Sequence, residues 1–417
     1  MKPTKLVLAI GLLVVMTASG VLAANEGRIY GRIITVDGDT FEGLIRWDKN
    51  EANWVDVLDG NKKLDKSVAD EFASEGRKRY SDRGAKVEFF GLTISRDKGS
   101  IFSYSNSAQS GLRFGHIKRL EVIGDDEVLV ILKSGEEVEL SGGSTDIGTG
   151  IREIVIEDDD EGEIEFVWED IEAVELMSAK TDMQSNFGDR LYGTLTTRRG
   201  ETFTGYVCWD MDEIFTEDIL DGSEKNRSRK IAFGKIRAIE RYSSNGAMVT
   251  LANGDDVLLR ESNDVDDSNR GIVIGDPGFG QVTVDWDEFD RLEFSVPRRD
   301  VRYGDFDGGR KLYGTVYTED GDSYTGEIIW DADEQYTWEI LDGEYHDVEF
   351  DVEFGLIKAI EKKSYRSSQV TVADGREFRL RGSNDVNEDN KGIFVKMDNG
   401  DKAEVTWDDF DRVEFRR

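Results

Sequence analysis

Phe203, Gly205, Val207 and Trp209 hold one parity of a short stretch, while Thr204, Tyr206, Cys208 and Asp210 hold the other. The same alternation runs through Phe41, Gly43, Ile45 and Trp47, and through Tyr324, Gly326, Ile328 and Trp330. Period two with an aromatic end marks a strand that buries one face. Turn signals punctuate these runs at Asp37-Gly38, Arg199-Gly200, Asn253-Gly254, Asp320-Gly321 and Asp374-Gly375. Asn-Gly and Asp-Gly are favoured where both turn residues take positive φ. Helical spacing beyond a turn or two occurs only from Leu64 to Phe72. Beyond Pro3, only Pro277 and Pro297 interrupt the ladders. The pattern predicts an all-β chain.

The pattern also repeats. Arg28-Ile29-Tyr30-Gly31, Arg190-Leu191-Tyr192-Gly193 and Lys311-Leu312-Tyr313-Gly314 open three similar passages. Each continues to a Trp-Asp pair (Trp47-Asp48, Trp209-Asp210, Trp330-Asp331) and then to Leu58-Asp59-Gly60, Leu220-Asp221-Gly222 or Leu341-Asp342-Gly343. Phe114-Gly115, Phe233-Gly234 and Phe354-Gly355 follow, and Trp168, Trp286 and Trp407 begin the closing segments. Gly193 to Gly314 and Trp286 to Trp407 are both 121 residues, so the second and third copies align without net gap. Such self-similarity defines a repeat architecture. The repeats are 24–180, 181–297 and 298–417, the first carrying an insert at about 61–113.

A weaker symmetry divides each copy. Phe233, Ile236, Ile239 and Glu240 are spaced like Trp286, Phe289, Leu292 and Glu293, which predicts six related modules paired into three repeats. The strand–turn–strand opening over Gly193 to Trp209, with the short turn and strand of Phe233 to Glu240, resembles small SH3-like or Sm-like β-barrels. That resemblance implies two closed five-strand barrels per repeat and no particular activity, since such barrels host many functions. Sm-like proteins bind RNA through basic loops, whereas the loops here are acidic.

Composition narrows the classes. With 88 Asp and Glu against 53 Lys and Arg, the net charge is −35. So acidic a chain is a poor ligand for nucleic acid or an anionic membrane. One cysteine excludes a disulfide scaffold or a Cys-rich zinc site, and two histidines leave little for His-based chemistry. Lys2, Lys5, the apolar run Leu6 to Met16 and the small-residue site before Ala24 predict a secretory signal peptide over 1–23. No further run reaches membrane-spanning length. The expectation is an exported protein, periplasmic or extracellular.

The triplication also sorts candidate chemistry. Cys208, on the outward parity of its strand, aligns with Arg46 and Ile329, and His116 aligns with Lys235 and Leu356, so neither has a shared role. Ser144-Thr145-Asp146, Ser262-Asn263-Asp264 and Ser383-Asn384-Asp385 do recur, each followed six residues after the Asp by Arg152, Arg270 or Lys391. From each of these Asp residues to the closing Trp is 22 residues. In one reading the loop is a structural Asx turn whose Asp pairs with that base. In the other it binds Ca²⁺, through Asp264, Asp266 and Ser268 or Asp385, Asn387 and Asp389, which offer oxygens at alternate positions. Position six is Asn269 or Asn390 rather than the glycine of a standard calcium loop.

The unrepeated aromatics Trp54, Tyr336 and Trp338 are the first ligand-binding candidates if exposed. The insert, with Arg77, Lys78, Arg79 and Arg83, and the pair Arg298-Arg299 are local basic departures on an acidic chain. The sequence therefore points to a non-catalytic binding or scaffold protein for protein or envelope polymer, with no cofactor beyond possible Ca²⁺. A carboxylate hydrolase using Asp264 with Asp287 is the remaining alternative.

Overall fold

The computed structural model describes residues 25–63, 88–89, 92–93, 107–158, 160–180 and 185–416. The leader 1–23, the helical spacing of Leu64 to Phe72 and the basic cluster Arg77 to Arg83 lie outside the described residues. The chain is all-β, and the only helical elements among the described residues are three-residue 3₁₀ turns. Its strands form open antiparallel sheets of ten, twelve and eight strands, beside a two-strand pair at Glu88–Phe89 and Leu92–Thr93. No helix among the described residues is long and apolar enough to cross a membrane.

The halves of each repeat exchange strands, which the sequence did not indicate. In the second repeat the opening hairpin Tyr192–Thr197 and Thr202–Cys208 pairs on one side with Phe289–Phe294 and on the other with Ile272–Asp276, both from the second half. Conversely, Ile219–Glu224, from the first half, meets Asp256–Arg260 of the second. The central pair Ile236–Ser243 with Phe289–Phe294 stitches the two sets together. Corresponding pairings occur in the first and third repeats. The two halves share one alternation, so pairing within or between them buries the same faces. Among the described residues no pairing closes a sheet on itself.

Shared glycines permit the close pairing. A Cβ at Gly43, Gly205 or Gly326 would lie 1.9, 2.3 or 2.1 Å from a carbonyl oxygen of the neighbouring strand. The turns at Gly38, Gly200 and Gly321 have positive φ at the glycine alone, and Gly38 donates its N–H to the Thr35 carbonyl. These are type I turns ending in a left-handed glycine, the three-residue hairpin loop. Both central residues take positive φ elsewhere, at Lys225-Asn226, at His346-Asp347 and in the Trp-Asp turns.

Val57–Lys63 and Ser107–Arg113 form a hairpin matching Ile219–Glu224 and Arg227–Ala232. Material without a counterpart therefore narrows to 64–106, less than the expected insert. In each repeat the Trp of the Trp-Asp turn packs edge-on against the closing Trp, with centroids 6.4, 6.3 and 6.5 Å apart. The second and third repeats share one hydrophobic core, because Gly280–Val284 pairs with Val348–Glu353 across the boundary. The first repeat has its own core, which Trp338 of the third repeat enters.

Candidate functional site

The repeated polar residues converge on one knot in each repeat. Asp48, Asp210 and Asp331 follow the core tryptophan into a left-handed turn and are completely buried. Asp tolerates this conformation better than most residues. Its carboxylate accepts the backbone N–H and side chain of the repeated base. The N–H distance is 2.6 Å for both Arg152 and Arg270, and the side-chain distances are 2.9 Å (Arg152 Nη2), 2.8 Å (Arg270 Nη2) and 3.3 Å (Lys391 Nζ). Thr145, Asn263 and Asn384 donate to the same carboxylates. The expected pairing of base with the Asp of its own loop is thus corrected. Strand pairing brings the Trp-Asp turn over the loop, and its buried charge takes the base.

The loop aspartates hold backbone instead. Asp146, Asp264 and Asp385 are buried, and Oδ2 of each accepts the N–H of Asp59, Asp221 or Asp342 at 2.8, 2.6 and 2.8 Å. The indoles of Trp47, Trp209 and Trp330 donate to the carbonyls of these aspartates at 2.9, 2.9 and 3.0 Å. Asp266 accepts the N–H and hydroxyl of Ser268, and Asn387 accepts the N–H of Asp389, in outward local turns. Of the six residues offered for Ca²⁺, only Asp264 and Asp385 face the buried knot.

A third carboxyl completes the knot: Glu51, Glu213 and Glu334, three residues after the turn aspartate. Oε2 of each is buried without a hydrogen-bond partner. Burial, with the nearby aspartates, pushes Glu213 up to about 10 and Glu51 and Glu334 well above the ordinary carboxylate range. Burial likewise raises Asp264 to about 6 and Asp146 and Asp331 to about 7. The carboxylates of Asp210, Asp212 and Glu213 lie within 4.8 Å of one another, as do those of Asp331, Glu334 and Asp385. These glutamates were missed from sequence, although their triplication was a usable signal.

The aromatic candidates are corrected. Trp54 and Trp338 are buried, and Tyr336 is partly so. Trp54 packs on Tyr303 at 4.6 Å, and Tyr336 stacks on Trp338 while its hydroxyl donates to Glu136 at 2.8 Å. They bind, but what they bind is the junction of the first and third repeats. Cys208 is also buried, beside Ala52 and Phe215, because a neighbouring repeat covers the outward face of its strand. Burial holds its thiol well above the ordinary range.

Further charged groups lock the repeats together. Asp56 accepts the N–H groups of Ala52 and Asn53 and receives Arg190 at 3.0 Å. Asp218 accepts those of Ile214 and Phe215 and receives Arg46 at 3.2 Å. Glu339 accepts those of Gln335 and Tyr336 and receives Lys62. Arg28 lies 4.2 Å over Phe215 with no hydrogen bond to its guanidinium, and burial lowers it to about 10.

A cavity of about 480 Å³ opens where the repeats meet, lined by Arg113 and His116, Pro277, Arg299 and Arg310, and Glu353. Arg113 and His116 each approach Glu353 at 3.3 Å. Burial alone would raise Glu353, but the neighbouring Arg113 and His116 outweigh it and hold the carboxyl below its ordinary value. Comparison with protein-family models, curated proteins and solved structures finds no match to this chain. As for the alternative hydrolytic pair, Asp264 is bound to the Asp221 amide while exposed Asp287 pairs with Arg241 at 2.9 Å.

Proposed function

We propose that the chain is an exported, non-catalytic scaffold that binds protein or cell-envelope polymer through surfaces its repeats do not share. One observation carries this reading: the aspartates common to all three repeats are engaged with backbone N–H groups and with the repeated bases. Outside the knots, the junction side chains Arg299 and Arg310 and the segment 64–106 are not repeated. Unshared loops on a regular framework are where recognition concentrates. The net charge of −35 favours partners other than nucleic acid.

The test is co-sedimentation of the mature chain with purified envelope polymer and with envelope proteins. Binding is expected, and it should weaken when Arg299 and Arg310 are replaced by Ala or when 64–106 is replaced by a short turn. No binding to either fraction at low ionic strength would contradict the reading.

A second reading, divalent-cation binding, is favoured by the unpartnered Oε2 of Glu51, Glu213 and Glu334. Hard cations take carboxylate oxygens, and the set would be Asp331, Glu334 and Asp385 or Asp210, Asp212 and Glu213. Calorimetry with Ca²⁺ should show heat that Glu334→Gln diminishes. No heat at millimolar metal would exclude it.

A further inference from the structure

One joint in this protein is built from two sheet edges. Gly280–Val284 of the second repeat pairs antiparallel with Val348–Glu353 of the third, Gln281 opposite Asp351, Val282 opposite Phe350 and Val284 opposite Val348. On one face Gln281 Nε2 donates to Asp351 Oδ2 at 2.8 Å, and on the other Val282, Val284 and Phe350 are buried. The corresponding join between the first and second repeats is not made. Gly162–Phe166, the counterpart of Gly280–Val284, ends the ten-stranded sheet, and Arg227–Ala232, the counterpart of Val348–Glu353, ends the twelve-stranded one.

These two edges are complementary. Laying the observed register onto them sets Glu163 opposite Lys230, Ile164 opposite Arg229, Glu165 opposite Ser228 and Phe166 opposite Arg227. Glu163, Glu165, Arg227, Arg229 and Lys230 are all exposed. Opposite charges directly across an antiparallel pair stabilise it, while like charges oppose it. The arginine stem at 229 would lie along half-buried Ile164 as its head stays in water, while Phe166 is already buried in its own core. On a chain of net charge −35, a basic edge strand is a departure.

We propose that Gly162–Phe166 of one copy adds to Arg227–Ala232 of a second copy, so that the protein assembles head to tail. This deepens the scaffold reading by naming a partner, a second copy of this chain. Two other edges fit less well. Lys402–Val405 would set Lys402 against Lys230, and Ser107–Arg113 presents Gly111, whose added Cβ would already lie 3.3 Å from Ile340. Main-chain hydrogen bonds supply the affinity of such strand addition, and side-chain pairs its specificity. Because the two surfaces differ, the contact is heterologous and leaves a free edge at each end of a dimer.

Sedimentation velocity of the full chain over a range of concentrations at low salt tests this. The average mass should rise with concentration and fall back in high salt. Glu163→Lys and Lys230→Glu should each return the protein to monomer with an unchanged far-ultraviolet dichroism spectrum. Mixing the two variants should restore association, since each then meets an opposite charge. A wild-type monomer at every concentration, or association that survives both reversals, would overturn the proposal. The former result would leave binding to a foreign partner untouched, which only the co-sedimentation assay addresses.

Discussion

Arg270 binds Asp210 three times, through its backbone N–H at 2.6 Å, through Nε at 3.2 Å and through Nη2 at 2.8 Å, although 60 residues separate them. The aspartate has φ 49° and no exposure, and the arginine side chain is 44% exposed. One carboxylate thus offsets a left-handed turn, closes a loop and anchors a base. Arg152 with Asp48 and Lys391 with Asp331 repeat the arrangement.

Asp210→Ala should therefore destabilise the protein by about 3 kcal/mol, because a buried partner is removed and the base and N–H are left behind. Asp210→Asn keeps a side chain that tolerates the turn and should cost less, about 1 kcal/mol. Urea unfolding monitored by tryptophan fluorescence measures both. Equal costs would show that the charge alone carries the effect and that the side chain's tolerance of the turn adds nothing.

The carboxyls of the knots give stability an unusual slope with pH. Asp264 at about 6, Asp146 and Asp331 at about 7 and Glu213 at about 10 lie above the unfolded values of 3.8 and 4.5. Groups raised on folding contribute stability that is complete below the unfolded pKa and is lost as pH rises through the folded one. Melting temperature should fall between pH 5 and pH 8. Glu213→Gln should flatten that fall and stabilise the protein at pH 8, by on the order of 2 kcal/mol. A melting temperature that rises over this interval in the wild type would contradict the assignment.

Asp56 joins a loop cap to an inter-repeat ion pair, so Asp56→Ala should expose both. The amides of Ala52 and Asn53 should exchange hydrogen faster, and stability should drop by roughly 3 kcal/mol. Arg190→Ala should destabilise while leaving those two amides protected. Identical exchange in the two variants would mean that cap and pair are not separate functions of the carboxylate.

Cys208 provides a probe of the covered strand face. Its thiol is buried and its ionisation suppressed, so a disulfide reagent should modify it only on global unfolding. Rapid modification of the native chain would show that the first and second repeats separate readily.

Period-two alternation made the strands legible, and the repeat spacing made the knots legible as places, but not their wiring. The base six residues after Asp264 pointed to a pair within the loop, whereas strand pairing delivers Asp210 from far away. Parity placed Cys208 outward correctly, yet parity does not say what covers a face. Trp54 and Trp338 looked like binding residues because they are unrepeated. They are unrepeated because each belongs to a junction between different repeats, where no equivalent partner exists. The strand exchange was invisible because both halves carry the same alternation.

The three repeats form one interlocked unit. A shared sheet joins the second and third, and the contacts of Arg46, Lys62, Arg113 and Arg190 bind the first to them. Differential scanning calorimetry of the full chain tests it most directly. The account predicts one transition whose calorimetric and van't Hoff enthalpies agree. Separate transitions for the individual repeats would contradict it.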